Sequence, residues 1–217
     1  MIEIRSVAGT LLYTHEDTSL AGANLAGADL ANAHLAYASL VGVNFKGTNL
    51  SRANLSRANL FGTSLVNANL TYVALAEADL TGANLTGANL TGANVADANL
   101  LGANLTGAKA ANANFETANL AYTNLVGADF GGANVAGANL VGANLVTTNL
   151  AGANLAGANL AGAHLAGANL ANVNLSGANL TRANLTRAEL AGANLAGADL
   201  SGANLTGTAL SGAALSP

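Results

Sequence analysis

The chain of 217 residues has no cysteine, no tryptophan, a single proline and few charges. Without cysteine, neither a disulfide nor a thiolate metal site can form. Only 8% of the residues are charged and 51% are hydrophobic, the reverse of a disordered composition. Seven basic residues stand against 11 acidic ones, for a net charge of −4. Because nucleic-acid binding needs a concentrated positive field, we expect no nucleic-acid partner.

The sequence also has little that points to a membrane or to export. Asparagine interrupts the apolar residues too often for a membrane span, so we expect no membrane association. The first residues, Met1–Arg5, lack the apolar core of a secretory leader. We therefore expect a cytoplasmic protein.

A repeat of five residues fills almost the whole sequence. From Leu20 to Leu215, forty successive fifth positions hold leucine, apart from a few replacements, with no insertion. The residue two before it is nearly always alanine, so the chain reads Ala-Asn-Leu-x-Gly. On an α-helix this period would spiral around the cylinder, and on a straight strand it would alternate between faces. The replacements for leucine are Phe45, Val95, Ala110, Phe115, Phe130 and Val135.

A chain that turns a corner in every pentad satisfies this period. In residues 23–27, Ala23 and Leu25 would then point inward, Asn24 outward, and Gly27 would lie at the bend, where a residue without Cβ is favoured. Four such sides close a coil of twenty residues. Outward asparagines would form ladders along the stack, and Phe115 and Phe130 would fill the volume that Ala110 leaves in the core.

The pattern Ala-(Asp/Asn)-Leu-x-x resembles that of the pentapeptide-repeat family over about 200 of the 217 residues. This resemblance implies an all-β fold, a right-handed quadrilateral parallel β-helix (solenoid), here with about ten four-sided coils. Residues 1–19 depart from the repeat and alternate like two strands around a turn. We expect them to form an N-terminal β-hairpin-like cap on the β-helix of residues 20–217.

The repeats continue to Leu215 without a covering segment. An open coil exposes unpaired backbone groups, which proteins usually cover. We therefore expect either a homodimer through this uncapped C-terminal coil or further chain beyond it.

Residues with chemical potential are sparse. The three histidines, His15, His34 and His164, lie far apart along the expected rod and form no catalytic triad or metal site. The sequence thus predicts no catalytic, metal-binding or cofactor-binding residues, hence no cofactor and a protein that is not an enzyme.

Two surfaces interrupt the regular exterior. The first is a polar patch in which Arg57 would pair with Glu77 and stack on Tyr37, because residues twenty apart are stacked neighbours. In the next column Arg52 would likewise stack over Tyr72. The patch is either a set of solvated ion pairs or a recognition site. Its residues are Tyr37, Arg52, Arg57, Tyr72, Glu77 and Asp97.

The second surface is an apolar strip at the position after each leucine, on two adjacent sides of the rod. It is either an interaction surface or a row where β-branched residues simply suit an outward strand position. One side holds Val41, Phe61, Leu101 and Val141, and the next holds Val66, Val126 and Val146.

Three functional hypotheses remain open. The chain is a structural or protein-interaction scaffold with a protein partner, since a filled interior offers no pocket. Alternatively, the family resemblance implies a DNA mimic that binds DNA gyrase or topoisomerase and protects against quinolones, although that role needs a negative field along the whole rod. The third hypothesis is a consensus-like or engineered array with no specific ligand.

Overall fold

The computed structural model describes residues 1–214, so the expected final repeat position Leu215 and the terminal Ser216 and Pro217 lie outside the described residues. The chain begins with two antiparallel strands, β1 (Ile2–Arg5) and β2 (Leu11–His15). Their register shifts between Ile4 and Arg5. The side chain of Ile4 is buried against the repeat core.

Beyond the hairpin, the chain forms isolated parallel β-bridges between residues twenty apart, from Asn24 with Asn44 to Asn194 with Ala214. Each pentad contributes one bridge, so a coil of twenty residues has four sides. The Asn44 N–H donates to the Ala23 carbonyl at 2.9 Å, and the Leu25 N–H donates to the Asn44 carbonyl at 2.8 Å. Successive coils therefore satisfy each other's backbone groups, and the all-β parallel stacking is confirmed.

A tight turn forms each corner. The Ala28 N–H donates to the Leu25 carbonyl at 3.1 Å and encloses two residues, of which the second, Gly27, has φ of +70°. Positive φ at this second position alone is the pattern of a type II turn, which favours glycine. Of the corner residues between 22 and 212, 24 are glycine and 15 are not. Each of those 15 has the left-handed backbone, which costs roughly 1–2 kcal/mol for a residue with a Cβ.

Leucine and alanine side chains from all four sides fill the interior. The rings of Phe115 and Phe130 contact each other with centroids 5.0 Å apart and planes tilted by 40°. Ala110 and Phe130 are stacked neighbours, and together they have as many side-chain carbon atoms as two leucines. This supports the expectation that the larger rings compensate for Ala110.

Four buried threonines replace inward residues that are usually alanine, which the repeat analysis did not anticipate. The hydroxyl of Thr48 donates to the Leu25 carbonyl at 2.7 Å, and that of Thr148 to the Leu125 carbonyl at 2.8 Å. Within residues 1–214, no buried side-chain nitrogen or oxygen lacks a partner. The hydroxyls are therefore tolerated in an apolar core. The four residues are Thr48, Thr63, Thr123 and Thr148.

The outward asparagines form the expected ladders. The Asn134 amide donates to the Asn114 side chain at 3.0 Å, and the Asn154 amide donates to Asn134 at 3.1 Å. The same Asn134 oxygen also accepts a bond from the Ala136 N–H at 3.3 Å. Such side chains bind both the neighbouring coil and their own corner, so their role is structural.

The hairpin contacts the first coil on one side. Ser6 forms an antiparallel bridge with Ala33, the His34 N–H donates to the Arg5 carbonyl at 2.8 Å, and the Val7 N–H donates to the Asn32 carbonyl at 2.9 Å. Along residues 1–214, no helix has the length and apolar character needed to cross a membrane.

Candidate protein-binding surface

The polar column and one row of the apolar strip lie on the same side of the rod. In residues 57–61, Ala58 and Leu60 are buried, while Arg57, Asn59 and Phe61 remain accessible. Segments 37–41, 77–81, 97–101 and 117–121 stack above and below in the same register. We call the surface built by these five segments the mixed face. Its one edge is polar, its centre is an asparagine column and its other edge is largely apolar.

A network around Arg57 organises the polar edge. Its guanidinium donates two hydrogen bonds to the Glu77 carboxylate, at 2.9 and 2.8 Å, and one to the Tyr37 hydroxyl at 2.8 Å. It also lies 5.6 Å from the centroid of the Tyr37 ring. Both predicted contacts of Arg57 are confirmed. The hydrogen bonds that Arg57 donates to Glu77 and Tyr37 raise the pKa of Arg57 and hold the cation in place.

On the same edge, successive corner residues are not glycine. Its first five corner residues all bear side chains, whereas the next four, at 137, 157, 177 and 197, are all glycine. The first five have φ between 56° and 61°. They are Tyr37, Arg57, Glu77, Asp97 and Thr117. Further along the same edge, the Thr117 hydroxyl donates to the Asp97 carboxylate and forms a second pair.

The apolar edge presents two large side chains to solvent. Phe61 is 51% exposed and Leu101 is 38% exposed, whereas Ala121, one coil beyond Leu101, is only 5% exposed. Val41 and Val141 are half-buried in the same row. The edge therefore alternates between projecting and recessed positions.

The remaining predicted surface residues lie elsewhere. Val66, Val126 and Val146 occupy the next side of the rod, and Arg52 and Tyr72 occupy the preceding corner. The expected stacking of Arg52 on Tyr72 is wrong, since no such contact occurs within residues 1–214. Instead, the Tyr72 ring covers Gly92, where an added Cβ would lie 2.5 Å from a ring carbon.

Catalytic chemistry has little support in the part of the chain that the structure describes. No three His, Cys, Asp or Glu residues there lie close enough to hold a metal ion. His15 lies 3.4 Å from Asp17, and His34 and His164 lie more than six coils apart. A hollow of about 480 Å³ lies beside the hairpin, between Val7, Leu12 and Asn32, and is open to solvent. None of these features assembles a nucleophile with a base.

Comparisons with known proteins agree with this architecture. The family described as "Pentapeptide repeats" matches in eight copies between residues 16 and 216. The crystal structure of HetL, a pentapeptide repeat protein involved in heterocyst differentiation regulation from the cyanobacterium Nostoc sp. strain PCC 7120, is 40% identical in sequence. That match covers 90% of this chain and 86% of HetL, with a TM-score of 0.57.

A second solved structure is that of QnrB1, a plasmid-mediated fluoroquinolone resistance protein. Its sequence is 18% identical to this chain. The match covers 77% of this chain and 84% of QnrB1, with a TM-score of 0.61. At this identity the likeness concerns the fold alone. A comparison with curated protein sequences gave no match.

Proposed function

Because the chain belongs to the pentapeptide-repeat family, we propose that it is a non-enzymatic scaffold that binds another polypeptide through the mixed face. The observation behind this proposal is the run of five side-chain-bearing corners from Tyr37 to Thr117, at positions where the backbone favours glycine. Corners that are not glycine occur on all four edges, but only this edge has five of them in succession. Strained backbone that persists in such a run indicates function rather than stability.

The chemistry of the mixed face supports protein binding. Tyrosine and arginine are among the residues that contribute most of the binding energy in protein interfaces, and phenylalanine is enriched at interface cores. Tyr37 and Arg57 are held by hydrogen bonds before any partner arrives, so little side-chain entropy remains to be lost on binding. Phe61 lies on the same side and adds exposed apolar area.

Affinity capture from a lysate of the source organism, with matched variants, tests this function. Phe61→Ser and Arg57→Gly should each lose the captured protein without loss of fold, since Phe61 is exposed and a corner tolerates glycine. Val66→Ser and Arg182→Gly are the controls. Val66 lies on the next side, and Arg182 has the same left-handed backbone on another corner. Equal capture by all five proteins, or no capture by any of them, would contradict the proposal.

Quinolone protection through DNA mimicry is a weaker alternative, favoured only by a likeness of fold to QnrB1. The mixed face has three acids, Glu77, Asp79 and Asp97, of which Glu77 is paired with Arg57. Most of its central column is neutral asparagine, so it lacks the negative field that DNA mimicry needs. An assay of gyrase supercoiling with a quinolone decides this alternative. Restored supercoiling in the presence of the chain would favour it.

We further propose that the rod is right-handed with about ten coils, and that residues 1–19 cap the β-helix of residues 20–217. The bond from the His34 N–H to the Arg5 carbonyl supports the cap. Within residues 1–214, the equivalent Asn24 N–H on another side has no backbone acceptor. Hydrogen exchange at His34 should therefore be slower than at Asn24, and equal rates would argue against a cap.

A further inference from the structure

We propose that the polypeptide covering the mixed face is a second copy of this chain, lying antiparallel to the first about a two-fold axis. This inference rests on the proposed function and names the partner for that same surface. The axis lies in the plane of the interface and crosses the rod at right angles. Such an operation reverses the order of the coils but keeps each row facing itself. Each row of outward residues then contacts the same row of the partner in the opposite order. The two orders must therefore be complementary in side-chain size and charge.

The apolar row meets this condition when the axis passes between Leu101 and Ala121. Leu101 then faces the partner's Ala121, a recessed position that is only 5% exposed. The two largest residues of the row, Phe61 and Leu101, each meet an alanine, and no other register achieves this for both. The other pairs are Phe61 with the partner's Ala161, Val41 with the partner's Thr181, and Val141 with the partner's Thr81.

The row of corner residues on the polar edge is also complementary to itself about this axis. Within the overlap the row has five side-chain-bearing corners followed by three glycines, so reversal places three side-chain-bearing corners of each copy over glycines of its mate. The remaining two pair with each other, Asp97 with the partner's Thr117. Tyr37, Arg57 and Glu77 face three corners without side chains. These are the partner's Gly177, the partner's Gly157 and the partner's Gly137.

The central column adds polar complementarity without a clash of charges. Asp79 faces the partner's Asn139, whose side-chain amide is a hydrogen-bond donor. Arg57 and Glu77 neutralise each other within each copy, at 2.8 Å. The arrangement therefore brings no two of the largest side chains together, since Tyr37, Phe61 and Leu101 face glycine or alanine, and it brings few like charges together.

The contact is large enough for a stable dimer. In this register the overlap extends past the mixed face to the next three segments on the same side of the rod. It runs from residues 37–41 to residues 177–181, which is eight stacked sides. With three outward residues on each side, each copy contributes about 24 residues, within the range of roughly 20–30 per partner in stable interfaces. At about 4.8 Å per coil the contact is about 38 Å long.

Disulfide cross-linking tests the register directly, because the chain has no cysteine of its own. Phe61→Cys combined with Ala161→Cys should give a covalent dimer on mild oxidation. The two positions lie five coils apart in one chain, about 24 Å, too far for an internal bond. The control is Val66→Cys with Ala166→Cys, which has the same spacing on the next side and should remain uncross-linked.

Sedimentation equilibrium over a concentration series provides the second measurement. The unmodified chain should reach the dimer mass. Ala161→Glu, which places a charged side chain opposite Phe61, should raise the dissociation constant at least about tenfold, whereas Ala166→Glu should leave it unchanged. A monomer mass at all concentrations, or cross-linking of the control pair alone, would overturn the inference.

The two proposals fail in different ways. If the chain stays monomeric but Phe61→Ser still abolishes capture of another protein, the self-pairing is wrong and the proposed function stands. If neither self-association nor capture depends on Phe61, both are wrong.

Discussion

Restoring leucine at two core positions tests how tightly the interior of the coils is packed. Ala110 is 0% and Phe130 2% exposed, and they are stacked neighbours in one ladder. Ala110→Leu alone adds three carbons to a filled space and should cost about 2 kcal/mol by overpacking. Phe130→Leu alone removes three carbons and the ring contact with Phe115, and should also cost about 2 kcal/mol.

The double variant conserves the number of side-chain carbons, so its expected loss is only about 1 kcal/mol, mostly the lost ring contact. The coupling free energy between the two positions is then about 3 kcal/mol. Urea unfolding followed by circular dichroism measures all four proteins, and an unchanged slope would show that only stability changes. Additive losses, with the double variant about 4 kcal/mol less stable, would refute this account of core compensation.

Two further predictions concern the corners and the register. Gly92→Ala and Gly152→Ala impose the same left-handed strain on the backbone, but of these two glycines only Gly92 lies under the Tyr72 ring. The Gly92→Ala variant should therefore have the lower melting temperature. Equal melting temperatures would show that the ring moves aside freely. Leu105→Asp buries an unpaired charge and should cost more than about 4 kcal/mol, whereas Leu101→Asp in the same coil should cost little at monomer concentrations. Comparable losses in thermal unfolding would mean that the inward and outward positions are assigned wrongly.

The spacing of leucine was sufficient to predict the coil, because a period of five admits few backbones. It placed Leu25 inside, Asn24 outside and Gly27 at the bend, as the structure has them. The asparagine ladders followed from the same register. These features depend on local periodicity and stacking alone, and both can be read from one pentad and its neighbour twenty residues away.

The candidate surface was only partly predictable. Columns of residues twenty apart predict separate surfaces for Arg57 and Phe61, although the alternation within one segment places both on one side of the rod. The left-handed backbone of Arg57 is a further feature of this surface, and its sequence signal is that Arg57 stands at a position where glycine recurs. The orientation of Tyr72 could not be inferred, because an exposed ring chooses among neighbours with similar energies.

The four-sided coil turns sequence position into an angle around the rod. Since every twenty residues return to the same side, loss or gain of one coil would shorten or lengthen the rod while leaving the pattern of sides in phase. Loss of a single pentad would also preserve the turns and the core, yet it would rotate everything downstream by a quarter turn. Arg57 and Gly157 would then no longer share an edge. Surface patterns in such a chain can thus be rearranged by small deletions that leave its folding almost untouched.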